Sequence, residues 1–230
     1  MTNLAIIPAR GGSKRIPRKN IKLFLGKPII AYSIEAALNS NLFDKVIVST
    51  DDLEIAECAI RYGACVPFLR SKENSNDLAT TFSVIQEVLM TFDQQNKKFE
   101  HVCCIYPCAP FINKEILVKG YNQYLSKNYD SLFPIMPFHF PIQRSLEIKD
   151  EKLRFIYPQF SLTRSQDLEL AYHDAGQFYW MNSKTCLTKK SLITDNTGYI
   201  KITELEGQDI DNLTDWKLAE LKYEIIRGIK

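Results

Sequence analysis

Arg10, Lys14, Arg15, Arg18 and Lys19 lie within one short stretch, Pro8-Ala9-Arg10-Gly11-Gly12-Ser13-Lys14-Arg15-Ile16-Pro17-Arg18-Lys19-Asn20, which carries two adjacent glycines and no acid. Fixed positive charge beside small residues that permit close backbone approach is what a chain of phosphates would need. Neither familiar phosphate motif fits. Counted from Gly11, a P-loop would place its second glycine where Ile16 stands, and a dinucleotide fingerprint needs spaced glycines. Pro17 keeps the segment extended or turned, so side-chain cations as well as backbone would hold the ligand.

A second chemical feature comes late, in Gly207-Gln208-Asp209-Ile210-Asp211. In extended backbone, residues two apart point the same way, so Asp209 and Asp211 would present both carboxylates to one point. Two carboxylates together with phosphate oxygens suit Mg²⁺. The same acids precede a helix signalled by Thr214, Asp215 and the apolar positions Leu218, Leu221 and Ile225, and could instead serve its N-terminus. A cationic loop needs an anion, and a carboxylate pair needs a cation. A metal-bound nucleoside triphosphate satisfies both.

The elements that must position these groups alternate along the chain. Apolar runs at 4–7, 46–50, 65–69, 102–106, 132–135, 177–181 and 198–202 read as buried strands. The second runs into Asp51-Asp52. Between them the spacing predicts helices: one after Pro28 with Ile30, Ile34, Ala37 and Leu38 on a face, and one over 53–62 with Ala56, Ala59 and Ile60 inward, closed by Gly63. A third carries Ile85, Val88, Leu89 and Phe92, and a fourth carries Ile116, Gly120 and Tyr124. Thr80 and Thr81 precede the third; Thr81 either caps it or places its hydroxyl on a ligand. The alternation predicts an α/β fold, a Rossmann-like, doubly wound, mostly parallel sheet whose C-terminal edge carries the loops.

Residues 137–174 break this pattern. Two short stretches, 145–148 and 153–157, read as a hairpin outside the main sheet, among Phe138, Phe140, Phe155, Tyr157 and Phe160. So many aromatics without helical period mark either a subunit contact or packing back on the parent domain. The chain is thus expected to be a single α/β domain, 1–230, with an inserted segment at 137–174 that is a candidate dimerisation contact.

Composition sets limits on partners. With 230 residues and 45% hydrophobic content the chain can bury one sizeable core. Twenty-nine basic against 27 acidic residues leave a net charge of +2, so no extended nucleic-acid surface is implied. No apolar run approaches the ~18 residues of a membrane span, and the first is too short for a signal peptide, which points to the cytoplasm. The six cysteines lack zinc spacing, and most sit in apolar stretches and read as buried hydrophobes in a reducing compartment.

The run from Ile7 to Asn20, with Gln208-Asp209-Ile210-Asp211 and Ser49-Thr50-Asp51, closely resembles the CMP-sialate synthetase family, the cytidylyltransferases that activate nine-carbon acidic sugars. The segments Tyr172-His173-Asp174-Ala175-Gly176-Gln177-Phe178-Tyr179-Trp180 and Ile105-Tyr106-Pro107-Cys108-Ala109-Pro110 are most similar to its pseudaminic acid members. The resemblance implies a homodimer whose excursion reaches the partner's active site. It also implies attack by the sugar's anomeric hydroxyl on the α-phosphorus of CTP, with Mg²⁺, releasing pyrophosphate. On that resemblance Arg10, Lys14, Lys19 and Asn20, with Pro8, Ala9 and Gly11, belong to the triphosphate and nucleotide. Arg70, the backbone of Ala79, and Thr81 belong to the cytosine and ribose. Asp209 and Asp211 match the magnesium carboxylates, and Arg164 a sugar-site arginine. Tyr106, His173, Asp174 and Gln177 complete the sugar side, where Tyr106-Pro107-Cys108-Ala109-Pro110 replaces a Gln-Pro-Thr-Ser-Pro run and His173-Asp174 replaces Arg-Pro.

Overall fold

The computed structural model describes residues 2–228. Along the chain run β1 (Asn3–Pro8), β2 (Leu23–Phe24), β3 (Lys27–Pro28), α1 (Ile29–Ser40), β4 (Lys45–Ser49), α2 (Leu53–Arg61), α3 (Thr81–Gln94), β5 (His101–Ile105) and α4 (Lys114–Ser126). They are followed by β6 (Ser131–Pro137), β7 (Leu146–Lys149), β8 (Lys152–Phe155), β9 (Tyr172–Asp174), β10 (Phe178–Asn182), α5 (Ser183–Lys189), β11 (Thr197–Lys201) and α6 (Leu213–Arg227).

Seven strands form the central sheet in the order β11-β6-β10-β5-β1-β4, with β9 paired to β6. β1 runs parallel to β4 and β5, and β11 parallel to β6, while β10 is antiparallel to both of its neighbours and β9 antiparallel to β6. The mostly parallel α/β sheet expected from the alternation is present, with β9 and β10 as its reversed members.

Strand periodicity explains the two-sided core. Ala5 and Ile7 of β1 face one way, joining Ile30 and Ile34 of α1 and Leu117 of α4, while Leu4 and Ile6 face the other, joining Ile85, Val88 and Phe92 of α3. Parallel strands covered on both faces must be apolar at every position, which is why β1 reads as an unbroken hydrophobic run.

Three local expectations are corrected. Residues 65–69 do not form a strand: Cys65 makes one bridge to Ile47, and Pro67, which has no N–H, ends the pairing. In α2 the buried side is Ile55, Ala56, Cys58 and Ala59, and Ile60 is exposed. In α6, Leu218, Leu221 and Ile225 are exposed and Trp216 and Ala219 are buried. Trp216, Ala219 and Tyr223 share the i, i+3, i+7 spacing of the expected stripe, and the aromatic stripe prevails because Trp216 and Tyr223 pack edge-on against Phe24.

The hairpin β7–β8 lies off the main sheet, as expected, with strand bounds shifted slightly from 145–148 and 153–157. Among the described residues no helix is long and apolar enough to cross a membrane.

Candidate active site

β1, β4 and β5 all end at one edge of the sheet, and the cationic stretch leaves from that edge. Ala9 donates its N–H to Ser49 O at 2.9 Å and Gly11 donates to Asp51 Oδ1 at 2.9 Å, so the loop is tied to the end of β4. A Cβ on Gly11 would stand 2.7 Å from Asp52 Oδ2, which accounts for the glycine. Asp52 caps α2 by accepting the Ile55 N–H and takes the Arg18 guanidinium on both oxygens, at 2.5 and 2.9 Å. Hydrogen bonding from Arg18 holds the Asp52 carboxyl below its ordinary value.

The loop borders a cavity of about 380 Å³ lined by Pro8, Arg10, Lys14, Lys19, Asn20 and Asp77, among others. A larger cavity of about 660 Å³ lies elsewhere, between Leu23, Glu54 and Arg61, and none of the predicted site residues borders it. In the smaller one, Asp77 pairs with Arg10 at 2.7 Å and with Lys14 at 2.5 Å. Asn20, buried, donates to Arg10 O at 2.9 Å and accepts from the Cys108 thiol at 3.2 Å, so it braces the loop while bordering the cavity. Burial pushes the Cys108 thiol up to about 12, which keeps its proton for that bond.

Ile16 from the loop and Ile210 from the acidic segment are both buried in one small cluster with Phe24, Ile29, Tyr32, Phe111, Trp216 and Ala219. This cluster draws the two chemical features together. Lys19 Nζ donates to Ile210 O at 2.6 Å, and Arg15 pairs with Asp211 Oδ2 at 2.6 Å. With Ile210 turned inward, the alternating backbone leaves Asp209 and Asp211 on the outer side. Partial desolvation, then the negative charge of Asp211, raise the Asp209 carboxyl above its ordinary value even though the residue keeps contact with solvent.

Neither acid serves the following helix. Asn212 accepts from the Thr214 and Asp215 N–H groups, and Asp215 accepts from the Asp211 and Asn212 N–H groups, a complete capping box. Neither carboxylate is therefore committed to the helix; Asp211 is held by Arg15, and the donor set of the two like-charged acids fits a hard divalent cation shared with phosphate oxygens. Among the described residues no group of three or more side chains forms a self-sufficient metal site.

The same logic applies at Thr81. Thr80 caps α3 by accepting from Ser83 N–H at 3.1 Å, which leaves the Thr81 hydroxyl for Tyr106, 3.3 Å away. Ala79 uses its N–H within its own loop, on Asn76 Oδ1 at 3.0 Å. Arg70 is 7% exposed, with Nε on Ser49 Oγ at 3.0 Å and Nη2 on Ser49 O, and burial lowers its pKa.

On the side assigned to the sugar the residues divide. His173 is half-buried, its ring 4.9 Å from Phe138. Asp174 accepts from the Tyr179 hydroxyl and the Gly176 N–H. Gln177 is buried and donates to Glu206 O at 2.5 Å, turned to the loop before Gly207. Arg164 is exposed on the excursion, opening the turn Ser165–Asp167. Asp77 was missed by sequence reasoning, and Arg15 was read only as one of the loop cations, without its partner Asp211. Nothing local marks Asp77, which sits 67 residues from Arg10.

The chain matches the family described as cytidylyltransferase over residues 4–219. It is 43% identical over 226 residues to a pseudaminic acid cytidylyltransferase of Campylobacter jejuni subsp. jejuni, covering 98% of this chain and 97% of that one. To a CMP-N,N'-diacetyllegionaminic acid synthase of Legionella pneumophila it is 33% identical, with 98% and 97% covered. Its fold matches that of a CMP:2-keto-3-deoxy-manno-octonic acid synthetase complexed with CTP, at a TM-score of 0.71 and 15% identity over 99% of this chain and 100% of that one. A cationic loop tied to a carboxylate pair at one sheet edge, and a family match over nearly the whole chain, lead to one conclusion: the chain belongs to the cytidylyltransferase family.

Proposed function

We propose that the protein transfers CMP from CTP to the anomeric hydroxyl of a nine-carbon acidic sugar, pseudaminic acid, and releases pyrophosphate. The observation that carries the sugar assignment is the 43% identity to pseudaminic acid cytidylyltransferases over nearly the full length of both chains.

The chemistry gains from cations placed where charge develops and from positioning. Arg10, Lys14 and Lys19 stabilise negative charge on the triphosphate and the departing pyrophosphate. Triphosphate binding displaces the Asp77 carboxylate, which holds Arg10 and Lys14 in its absence. Asp209 and Asp211 would hold Mg²⁺, which supplies charge neutralisation to the phosphate oxygens. Asp209 is one candidate to take the proton of the attacking hydroxyl.

The protein acts as a homodimer in this proposal. Support comes from the excursion, where Ile148 and Leu153 face each other across β7–β8 while 78% and 69% exposed, and an isolated two-stranded hairpin is marginal in water. The unbridged state of all six cysteines supports the cytoplasm as its compartment.

The test is pyrophosphate release from CTP and Mg²⁺ with pseudaminic, N,N'-diacetyllegionaminic and N-acetylneuraminic acids offered separately. Pseudaminic acid is expected to give the highest kcat/KM. A higher value with either other sugar overturns the sugar assignment, and no release with any of them overturns the transferase reading in favour of a nucleotide-binding protein without turnover.

A further inference from the structure

The acidic segment that carries Asp209 and Asp211 belongs to neither strand nor helix over residues 207–211, so its carbonyls need partners from elsewhere. Side chains supply them. Gln177, the residue before β10, donates its amide to Glu206 O at 2.5 Å, and Lys222 of α6 donates Nζ to Gly207 O at 3.0 Å. Gln208 Nε2 donates to Asp209 O at 2.9 Å, and Lys19 Nζ donates to Ile210 O at 2.6 Å. The backbone around the two acids is thus held from the sheet, from α6, from the segment itself and from the cationic loop.

Lys222 holds this backbone at two points. Its Nζ also donates to Gln208 Oε1 at 2.8 Å, and the nitrogen of that same amide holds Asp209 O. One ammonium group therefore reaches the backbone before Asp209 directly and the backbone after it through Gln208. The parts it joins are already packed. Gly207 is buried, and a Cβ there would stand 2.8 Å from Met136 Sδ of β6, so the segment lies hard against the sheet. Lys222 is half-buried and follows Ala219 by three residues, on the side of α6 where Trp216 and Ala219 pack with Ile210.

We propose that Lys222 is a positioning residue for the carboxylate pair: through Gly207 O and the Gln208 amide it fixes the backbone on either side of Asp209, and so sets how Asp209 and Asp211 meet a divalent cation. This rests on the reading of the two acids as the Mg²⁺ ligands. The charge of Lys222 acts in the opposite direction. An ammonium group near the site repels a metal ion, so its removal tightens cation binding if charge is all that it supplies. Removal loosens cation binding if the residue orients the ligands. The sign of the change separates the two.

The experiment compares the full-length protein with Lys222→Met and Lys222→Arg. Mn²⁺ binding is followed by electron paramagnetic resonance of the free ion in the presence of α,β-methylene-CTP, with the analogue alone as the blank. CTP binding is measured separately by calorimetry in EDTA, where no metal takes part. Lys222→Met keeps the length of the side chain and loses its donors. It is expected to weaken Mn²⁺ binding by about tenfold, the scale for losing an outer partner of a metal ligand, with CTP affinity in EDTA unchanged. Lys222→Arg keeps both the charge and the donors and is expected to recover most of that loss. Unchanged or tighter Mn²⁺ binding in Lys222→Met, an equal loss in the two variants, or a parallel loss of CTP affinity in EDTA overturns the proposal. Mn²⁺ binding no greater than the blank in the unaltered protein overturns the metal reading on which it rests.

Discussion

Lys19 is bonded to the backbone between the two acids, and in the proposed reaction it would act on the triphosphate beside a metal held by Asp209 and Asp211. Lys19→Ala is expected to lower kcat/KM for CTP by about 100-fold, the scale of one transition-state donor. Steady-state kinetics with varied CTP checks this. Asp77 works in the opposite direction, since its carboxylate occupies Arg10 and Lys14 and competes with phosphate. Both pairs are largely exposed and worth little, so Asp77→Asn is expected to lower the KM for CTP by no more than about fivefold, with kcat unchanged. An increase in KM would show that Asp77 assists binding. The loop cations were legible in the sequence because five of them crowd one acid-free stretch. Asp77 was not, because a single acid in a polar loop has no period or spacing that marks it.

Helix caps decide which polar side chains are left for chemistry. Asn212 and Asp215 close α6, and Thr80 closes α3, so the side chains of Asp209, Asp211 and Thr81 are not spent on helix ends. Asp52 serves both as cap of α2 and as partner of Arg18, and Asp52→Ala is expected to cost about 1 kcal/mol, readable as a fall in Tm. Its carboxyl is held low in the folded protein, chiefly by Arg18. The folded state therefore binds this proton less readily than the unfolded chain. The resulting stabilisation is present above the unfolded value near ~3.9 and is lost as pH falls through the lower folded one. The Tm difference between the protein and Asp52→Ala should accordingly narrow on acidification below ~3.9 and stay constant near neutrality. Ile210 has the matching role in the acidic segment: Ile210→Ala would open a cavity in the small aromatic cluster costing about 2–5 kcal/mol by denaturant titration.

The protein is built as a two-sided α/β core with one large excursion. An apolar hairpin standing away from that core has no intramolecular surface to cover it, and a second copy would supply one. The double variant Ile148→Glu, Leu153→Lys is expected to sediment as a monomer where the unaltered protein sediments as a dimer. A monomeric unaltered protein would remove the homodimer from the proposal. The excursion's departure from the domain was legible because its aromatics follow neither strand nor helix period. The inward face of α6 was not, because two apolar stripes of equal spacing competed and only packing against Phe24 and Tyr32 separated them.

Periodicity and local charge were enough to establish the α/β alternation, the sheet edge that carries the loops and the cationic stretch, and they left Asp209 and Asp211 open between a cation and the following helix. The features established in this way depend on neighbours along the chain, and sequence spacing is a direct record of them. Two things required the folded chain: the small cluster around Ile16 and Ile210 that brings the two halves of the site together, and the Asp77 contact with Arg10 and Lys14. Each joins residues from distant elements through packing or charge. Linear order carries no record of those distances, so tertiary contacts had to settle them.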